Sequence, residues 1–248
     1  MSATVAKGLA TFKAQKAKDQ QEAEERNRPK ANYFNWKHNR NKEDKNTVYG
    51  RFLQEFDDSV DTYREDRGLP IRVVEHTAPG KQGYLRRATC TAEDGGECYP
   101  CERHPEDRKL GWGQKKNFYT WFLVDYQDGE GPQPVVISRS FGSAFVDDLI
   151  EFVEEDENNR ITDKMFKITR SGAGKETKWK LREAKGVELY DDTDVEVLPL
   201  EQAVLRDIPY SEQAEYYGQV WKDGDPRDDD DDAPAEEPVK ASSGSMKW

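Results

Sequence analysis

The sequence predicts a mainly β fold: a core of roughly five strands with peripheral helices, an inserted metal-held subdomain and a disordered acidic tail. Three observations carry this expectation. Asn117–Tyr126 has apolar groups at both parities, the pattern of a strand covered on both faces. Lys164–Arg170 and Lys178–Glu183 flank Ser171-Gly-Ala-Gly174, a hairpin signal. All three cysteines fall between Cys90 and Cys101, in a stretch poor in aliphatic residues.

Taken in order, residues 3–25 read as a helix whose short apolar stripe is Val5, Leu9 and Phe12. Such a helix has little to bury alone, so residues 1–29 form a partly flexible N-terminal element able to contact another molecule. Pro29 ends it. The core domain spans 30–222. Its first material is Tyr33, Phe34, Trp36, Val48, Tyr49, Phe52, Leu53 and Phe56, and Asp57–Gly68 is a polar interruption. Leu69–Glu75 reads as a strand. The metal-held insert occupies about 76–113. Asn117–Tyr126 is the strongest strand, Gln127–Pro134 a turn, and Val135–Ser138 the returning strand. Ser143–Glu157 reads as a helix with Phe145, Leu149, Phe152 and Val153 on one face, and Asp147 and Asp148 suit its first turn. The hairpin follows, and Val187–Leu200 is expected to add a strand.

Charge is unevenly spread. The 248 residues carry a formal net charge of −12, yet residues 1–140 hold 24 Lys/Arg against 22 Asp/Glu. Residues 141–222 hold 11 against 19, and 223–248 hold 3 against 9, including the unbroken run Asp228–Asp232. Self-repulsion and the lack of apolar groups make 223–248 a disordered acidic tail, serving solubility, groove masking or partner docking. No stretch approaches a transmembrane span, and Met1–Ala10 lacks the apolar run of a secretory signal. Three cysteines make no disulfide framework and point to a reducing compartment.

The sharpest chemical signal is His76, Cys90, Cys98 and Cys101. The two-residue gap in Cys98-Tyr-Pro-Cys101 lets both thiolates reach one tetrahedral ion, and an S₃N ligand set suits one structural Zn²⁺ with no open position for water. His104 is the rival histidine: it would make a local knuckle, whereas His76 would clip the insert to the sheet. His38 reads as an ordinary surface or core-edge histidine. Gly174-Lys175 is not a phosphate loop, because Thr169 and Glu176 stand where that motif needs Gly and Ser or Thr. No acid–base pair or nucleophile elbow stands out, so an enzyme is not expected.

Basic and aromatic residues crowd the insert: Tyr84, Arg86, Arg87, Lys109, Trp112, Lys115, Lys116, Phe118, Tyr119 and Trp121. A second cluster holds Trp36 and Lys37, followed by Arg40, Lys42 and Lys45. Cations neutralise phosphates and exposed rings stack unpaired bases, which is what sequence-tolerant binding of single-stranded DNA requires. The competing reading is that strand aromatics are core.

The order His76…Cys90…Cys98-Tyr-Pro-Cys101, then a lysine-bearing link and the strand Asn117–Tyr126, resembles the zinc-containing single-stranded DNA-binding (helix-destabilising) proteins of T-even-like tailed phages. The resemblance covers roughly residues 48–200, and the tail by character only. It implies an OB-fold five-stranded barrel, a zinc subdomain and a groove between them. It places the zinc ligands on His76, Cys90, Cys98 and Cys101, and counterparts of family tyrosines at Tyr84 and at Phe118 or Tyr119. The mixed-charge Thr4–Arg26 segment departs from the short basic N-terminal motif of that family, and the tail is briefer. The implied function is coating of unpaired DNA in phage replication, recombination and repair, in the cytoplasm of the infected bacterial host. The tail would engage replication or recombination proteins, and copies would associate on DNA. The alternative is a zinc-stabilised protein-interaction factor, such as a transcription or recombination accessory protein, without a continuous DNA groove.

Overall fold

A computed structural model describes residues 8, 9, 11–13, 15–17, 20, 31–42, 44–79, 85–104, 113–172 and 176–218. Cα proximity divides the chain into two units, Met1–Ala31 and Asn32–Trp248. In the first, the described residues between Leu9 and Gln20 are helical, and Leu9 and Phe12 are exposed. The tail expected at 223–248 lies outside the described residues.

The second unit is built on seven strands: β1 (Thr47–Phe52), β2 (Ile71–Pro79), β3 (Leu85–Thr89), β4 (Gln114–Asp125), β5 (Gln133–Ser140), β6 (Phe166–Ser171) and β7 (Lys178–Glu183). Among the described residues four α-helices accompany them: α1 (Tyr99–Arg103), α2 (Ala144–Glu155), α3 (Leu200–Val204) and α4 (Tyr210–Gly218). Every strand pairing is antiparallel, in the order β3-β2-β4-β1-β6-β7, with β5 added to β4.

β4 organises the sheet. One of its edges pairs with β5 from Asn117 to Val124. The other pairs with β2 from Gln114 to Tyr119, then with β1 from Phe122 to Asp125. The fork at Thr120–Trp121 is filled by the Gln54 side chain, which is 1% exposed. Its Oε1 accepts the Trp121 N–H at 2.9 Å and the Thr120 hydroxyl at 3.2 Å, while its Nε2 donates to the Arg67 and Leu69 carbonyls. One side chain thus satisfies backbone groups left unpaired where two strands part.

The expected mainly β, five-stranded OB-fold barrel is corrected. The fold is mixed α/β, and its seven-stranded sheet is not closed. Among the described residues β3 pairs only with β2, β7 only with β6, and β5 only with β4 among the strands. The fork sends β2–β3 and β1–β6–β7 along separate branches that do not meet again. Leu85–Thr89 is a strand within the expected insert, and one further correction follows. Val187–Leu200 forms no strand; it is irregular up to α3.

The even positions of β4, Phe118, Phe122 and Val124, join one large core with Phe52, Phe166, Trp179 and the α2 residues Phe145, Val146 and Leu149. Those α2 positions recur at helical spacing, so one face of the helix meets the sheet. The opposite face of β4 lies under the 187–204 segment, which side chains hold in place of a strand ladder. Trp121 Nε1 donates to the Leu198 carbonyl at 2.9 Å, Arg51 Nη1 to the Tyr190 carbonyl at 2.8 Å, and Arg67 Nη2 to the Asp192 carbonyl at 2.7 Å. The Asp192 carboxylate pairs with both arginines. No helix among the described residues is long and apolar enough to cross a membrane.

Gly50 sits where β1 crosses β4 closely: a Cβ there would collide with the Leu123 carbonyl and the Phe122 ring. Gly50→Ala is therefore expected to lower the urea-unfolding free energy by about 1–3 kcal/mol. Gln54→Leu leaves buried polar groups unpaired and is expected to cost at least about 1–3 kcal/mol in the same measurement.

Candidate metal centre

His76, Cys90, Cys98 and Cys101 converge. Their ligand atoms all lie within 4.8 Å of one another, a geometry consistent with a metal-binding site. His76 lies on β2, opposite Ala88 of β3 and Gln114 of β4. Cys90 follows β3 directly, and its N–H donates to the Val74 carbonyl at 2.8 Å. A short 3₁₀ turn, Thr91–Asp94, closes on Gly95 at φ 78°, a left-handed value that favours glycine. The chain then returns to Cys98, the N-cap of α1, and Cys101 lies within that helix. A three-residue helical spacing puts both sulfurs on one face.

The Cys90 sulfur is 3.8 Å from that of Cys98 and 3.6 Å from that of Cys101. His76 Nε2 is 3.3 Å from Cys98 Sγ and 3.4 Å from Cys101 Sγ. These sulfurs are free thiols. Burial, reinforced by the Cys90 and Cys98 sulfurs, pushes the Cys101 thiol up to about 12. The protein alone therefore disfavours a thiolate at Cys101, and a bound cation reverses that preference. His104, the rival ligand, is not in the cluster; its ring lies near Gly113.

Gln114 has no signature in the cysteine spacing, yet its amide donates to the sulfurs of Cys90 at 3.3 Å and Cys101 at 3.5 Å. The C-terminal helix is a second unforeseen support. Gln213 accepts the Tyr99 N–H at 2.9 Å and donates to Thr91 Oγ1, and Tyr210 donates to the Glu102 carboxylate at 2.7 Å. The Tyr216 hydroxyl donates to the Arg87 carbonyl, while Ile208 and Tyr217 pack with Ala88. The insert thus borrows apolar cover from residues more than a hundred positions away.

Beside His76, the next residue of β2 faces a different environment, because successive strand side chains alternate. Glu75 is buried, accepts from Asn117 Nδ2 at 2.6 Å and the Tyr119 hydroxyl at 3.0 Å, and pairs with Arg87 at 3.4 Å. Burial pushes its carboxyl up, and Arg87 opposes that shift. Arg87 also donates to the Tyr33 hydroxyl at 2.7 Å and lies over the Tyr33 and Tyr119 rings.

These contacts overturn the DNA-groove expectation. Trp36, Phe118, Tyr119 and Trp121 are 8%, 3%, 0% and 4% exposed, so no ring among them offers a face for stacking. Trp36 meets Phe34 and Trp179 edge-on, and Phe118 stacks on Phe56. Arg87 is committed to Glu75. Lys115 and Lys116 are adjacent on β4 and so point to opposite sides of the sheet. Lys37 is exposed on a 3₁₀ turn at Trp36–His38. Tyr84, Lys109 and Trp112 lie outside the described residues, as does the side chain of Arg86. Among the described residues what remains is a metal-type cluster without a continuous aromatic and basic groove.

Tyr119→Ala is expected to destabilise the fold by about 3–5 kcal/mol in chemical denaturation, as loss of a fully buried ring does. Tyr119→Phe keeps the ring but removes the hydroxyl's hydrogen bonds with Glu75 and Ser138, and should cost about 1–3 kcal/mol. Compared with protein-family models and with curated proteins, the chain matches none.

Proposed function

We propose that this chain is a zinc-stabilised protein-interaction module, of the kind that serves as an accessory factor in transcription or recombination, and not an enzyme. The observation that carries the reading is the convergence of one imidazole and three thiols from β2, the end of β3 and α1. Zinc bonds of about 2.3 Å to sulfur and 2.0–2.1 Å to nitrogen imply tetrahedral edges of roughly 3.8 Å between sulfurs and 3.5 Å between sulfur and nitrogen. Four of the six cluster edges, at 3.6, 3.8, 3.3 and 3.4 Å, fit that shape within about 0.2 Å, and all six lie within 4.8 Å. Four protein ligands fill a tetrahedral shell, which favours a structural ion over a catalytic one. Zinc would supply the positive charge that lets buried sulfurs ionise, and the Gln114 amide would stabilise two of them by donating to them.

The interaction half of the reading rests on charge and on what the ion would brace. Closing the cluster would fix β3 and α1, on which α4 lies, and so would set the surface beneath the chain's exit toward 223–248. That stretch holds 3 cations against 9 carboxylates. A strongly acidic segment leaving a braced end suits a partner with a basic surface.

Metal analysis of the purified full chain should find about one zinc per chain. Cys98→Ser should reduce it to roughly a tenth of that, with new protease cleavage between 76 and 113. Unchanged zinc content in the variant, or a zinc-free preparation with undiminished protease resistance, would refute the structural ion. Zinc-loaded and chelated full chain used side by side as bait should differ. A salt-sensitive partner retained only by the loaded form supports the interaction reading, and equal retention by both forms overturns it.

A further inference from the structure

At the opposite side of the unit from β2 and β3, where β6 meets β1, a polar cleft of about 610 Å³ opens among Arg40, Lys42, Asp44, Tyr49, Gln127 and Lys167. Its size lies within the range of small-molecule sites, but its lining is charged where such sites are usually apolar. Three cations meet there from separate parts of the chain. Arg40 and Lys42 come from the loop before β1, and Lys167 from β6, directly across from Tyr49 in the strand register.

The one described carboxylate of the lining is already engaged. Asp44 accepts from Thr47 Oγ1 at 2.6 Å and from the Asn46 N–H at 2.9 Å, bonds that close the turn into β1. Among the described residues no carboxylate forms a salt bridge with Arg40, Lys42 or Lys167. In a chain with a net charge of −12, three cations gathered around one carboxylate, Asp44, which feels the charge of Lys167, leave an excess of positive charge that attracts an external anion.

The loop that presents them is fixed before any ligand arrives. Buried Asn39 donates through Nδ2 to the Lys45 and Thr47 carbonyls, both at 3.0 Å, and its Oδ1 accepts the Asn41 N–H. Asn41 Oδ1 accepts the Asp44 N–H, and the Arg40 N–H donates to the Tyr126 carbonyl at 2.7 Å. Pre-ordering of this kind removes part of the entropic cost of binding. Lys167 Nζ lies 5.9 Å from the centre of the Tyr49 ring, so the cationic floor has an aromatic wall.

We propose that this cleft binds a small anion carrying at least two linked phosphates, held by Arg40, Lys42 and Lys167 and flanked by Tyr49. Three cations set against a single engaged carboxylate match a diphosphate better than a singly charged ion. The proposal stands apart from the metal centre and survives or fails without it.

The test is a titration of isotope-labelled, zinc-loaded full chain with inorganic pyrophosphate, and separately with ADP, followed by amide NMR. Saturable shifts centred on residues 39–49 and 167 are expected, with a dissociation constant of roughly 0.1–1 mM at low salt. ADP binding more tightly than pyrophosphate would assign the Tyr49 wall to a base; equal affinities would assign the cleft to the diphosphate group alone. Arg40→Gln and Lys167→Gln should each weaken binding by roughly fivefold or more, and Lys180→Gln, an exposed change on β7, should not. All three variants should keep the parent spectrum elsewhere. No saturation by about 10 mM pyrophosphate would overturn the proposal. So would equal weakening by Lys180→Gln, or shifts confined to residues 90–104 and 114, which would report zinc extraction.

Discussion

The structure depends on how one edge of β4 is shared. A single antiparallel edge serves β2 over its first half and β1 over its second. At the point of transfer the backbone would be left with buried unpaired groups, a cost that native proteins rarely tolerate. Gln54 removes it with four hydrogen bonds from one amide side chain, two accepted and two donated. The consequence is architectural. The sheet divides into one branch that carries the metal-type cluster and another that carries the aromatic core, and among the described residues β4 alone pairs with both.

The two branches are stabilised by different physics. The β1–β6–β7 branch is a packing problem solved by rings: Phe52, Phe122, Phe166 and Phe152 meet edge-on in a continuous chain, and Trp179 is shared between Phe34, Trp36 and Phe145. The β2–β3 branch has few large apolar side chains and relies on polar convergence. His76 faces three sulfurs, and its neighbour Glu75 faces Asn117, Tyr119 and Arg87. Alternation along a strand thus sets a cluster fit for a metal and a buried ion pair on opposite faces of one short segment. A buried carboxylate is costly to isolate, so Arg87, Asn117 and Tyr119 are mutually required.

Sequence alone made some of this legible and not the rest, for reasons that can be named. The four-residue cluster was readable because short cysteine spacing constrains geometry locally, and His76 ends a recognisable strand. β4 was readable because a long, continuous apolar run reports a strand covered on both faces, and β7 and α2 because strong periodicity reports burial. Closure was not readable: whether a sheet closes depends on the relative direction of distant strands, and no local pattern in β5 or β7 encodes it. The segment after β7 misled because Val187, Val195, Val197 and Leu198 look like strand residues, whereas its backbone is satisfied by Arg51, Arg67 and Trp121 from elsewhere. Nothing in the spacing marked Gln114 or Gln213, because a neutral amide has no pattern of its own.

The most instructive failure concerns cations. Counted along the chain, Arg51, Arg67 and Arg87 are indistinguishable from Arg40, Lys42 and Lys167. In the fold the first three are consumed: Arg51 and Arg67 bind Asp192 and nearby carbonyls, and Arg87 binds Glu75. Their charge is cancelled within the protein, and little field is left to reach a ligand. The second three line a cleft whose single described carboxylate already serves a turn. The same distinction applies to rings, since Tyr119 and Trp121 have no free face while Tyr49 is only half-buried beside Lys167. Binding capacity follows from groups whose interactions remain incomplete after folding, so it is the hydrogen-bond and ion-pair ledger of the folded chain, not the density of arginine and tyrosine in the sequence, that locates where this protein can meet an anion.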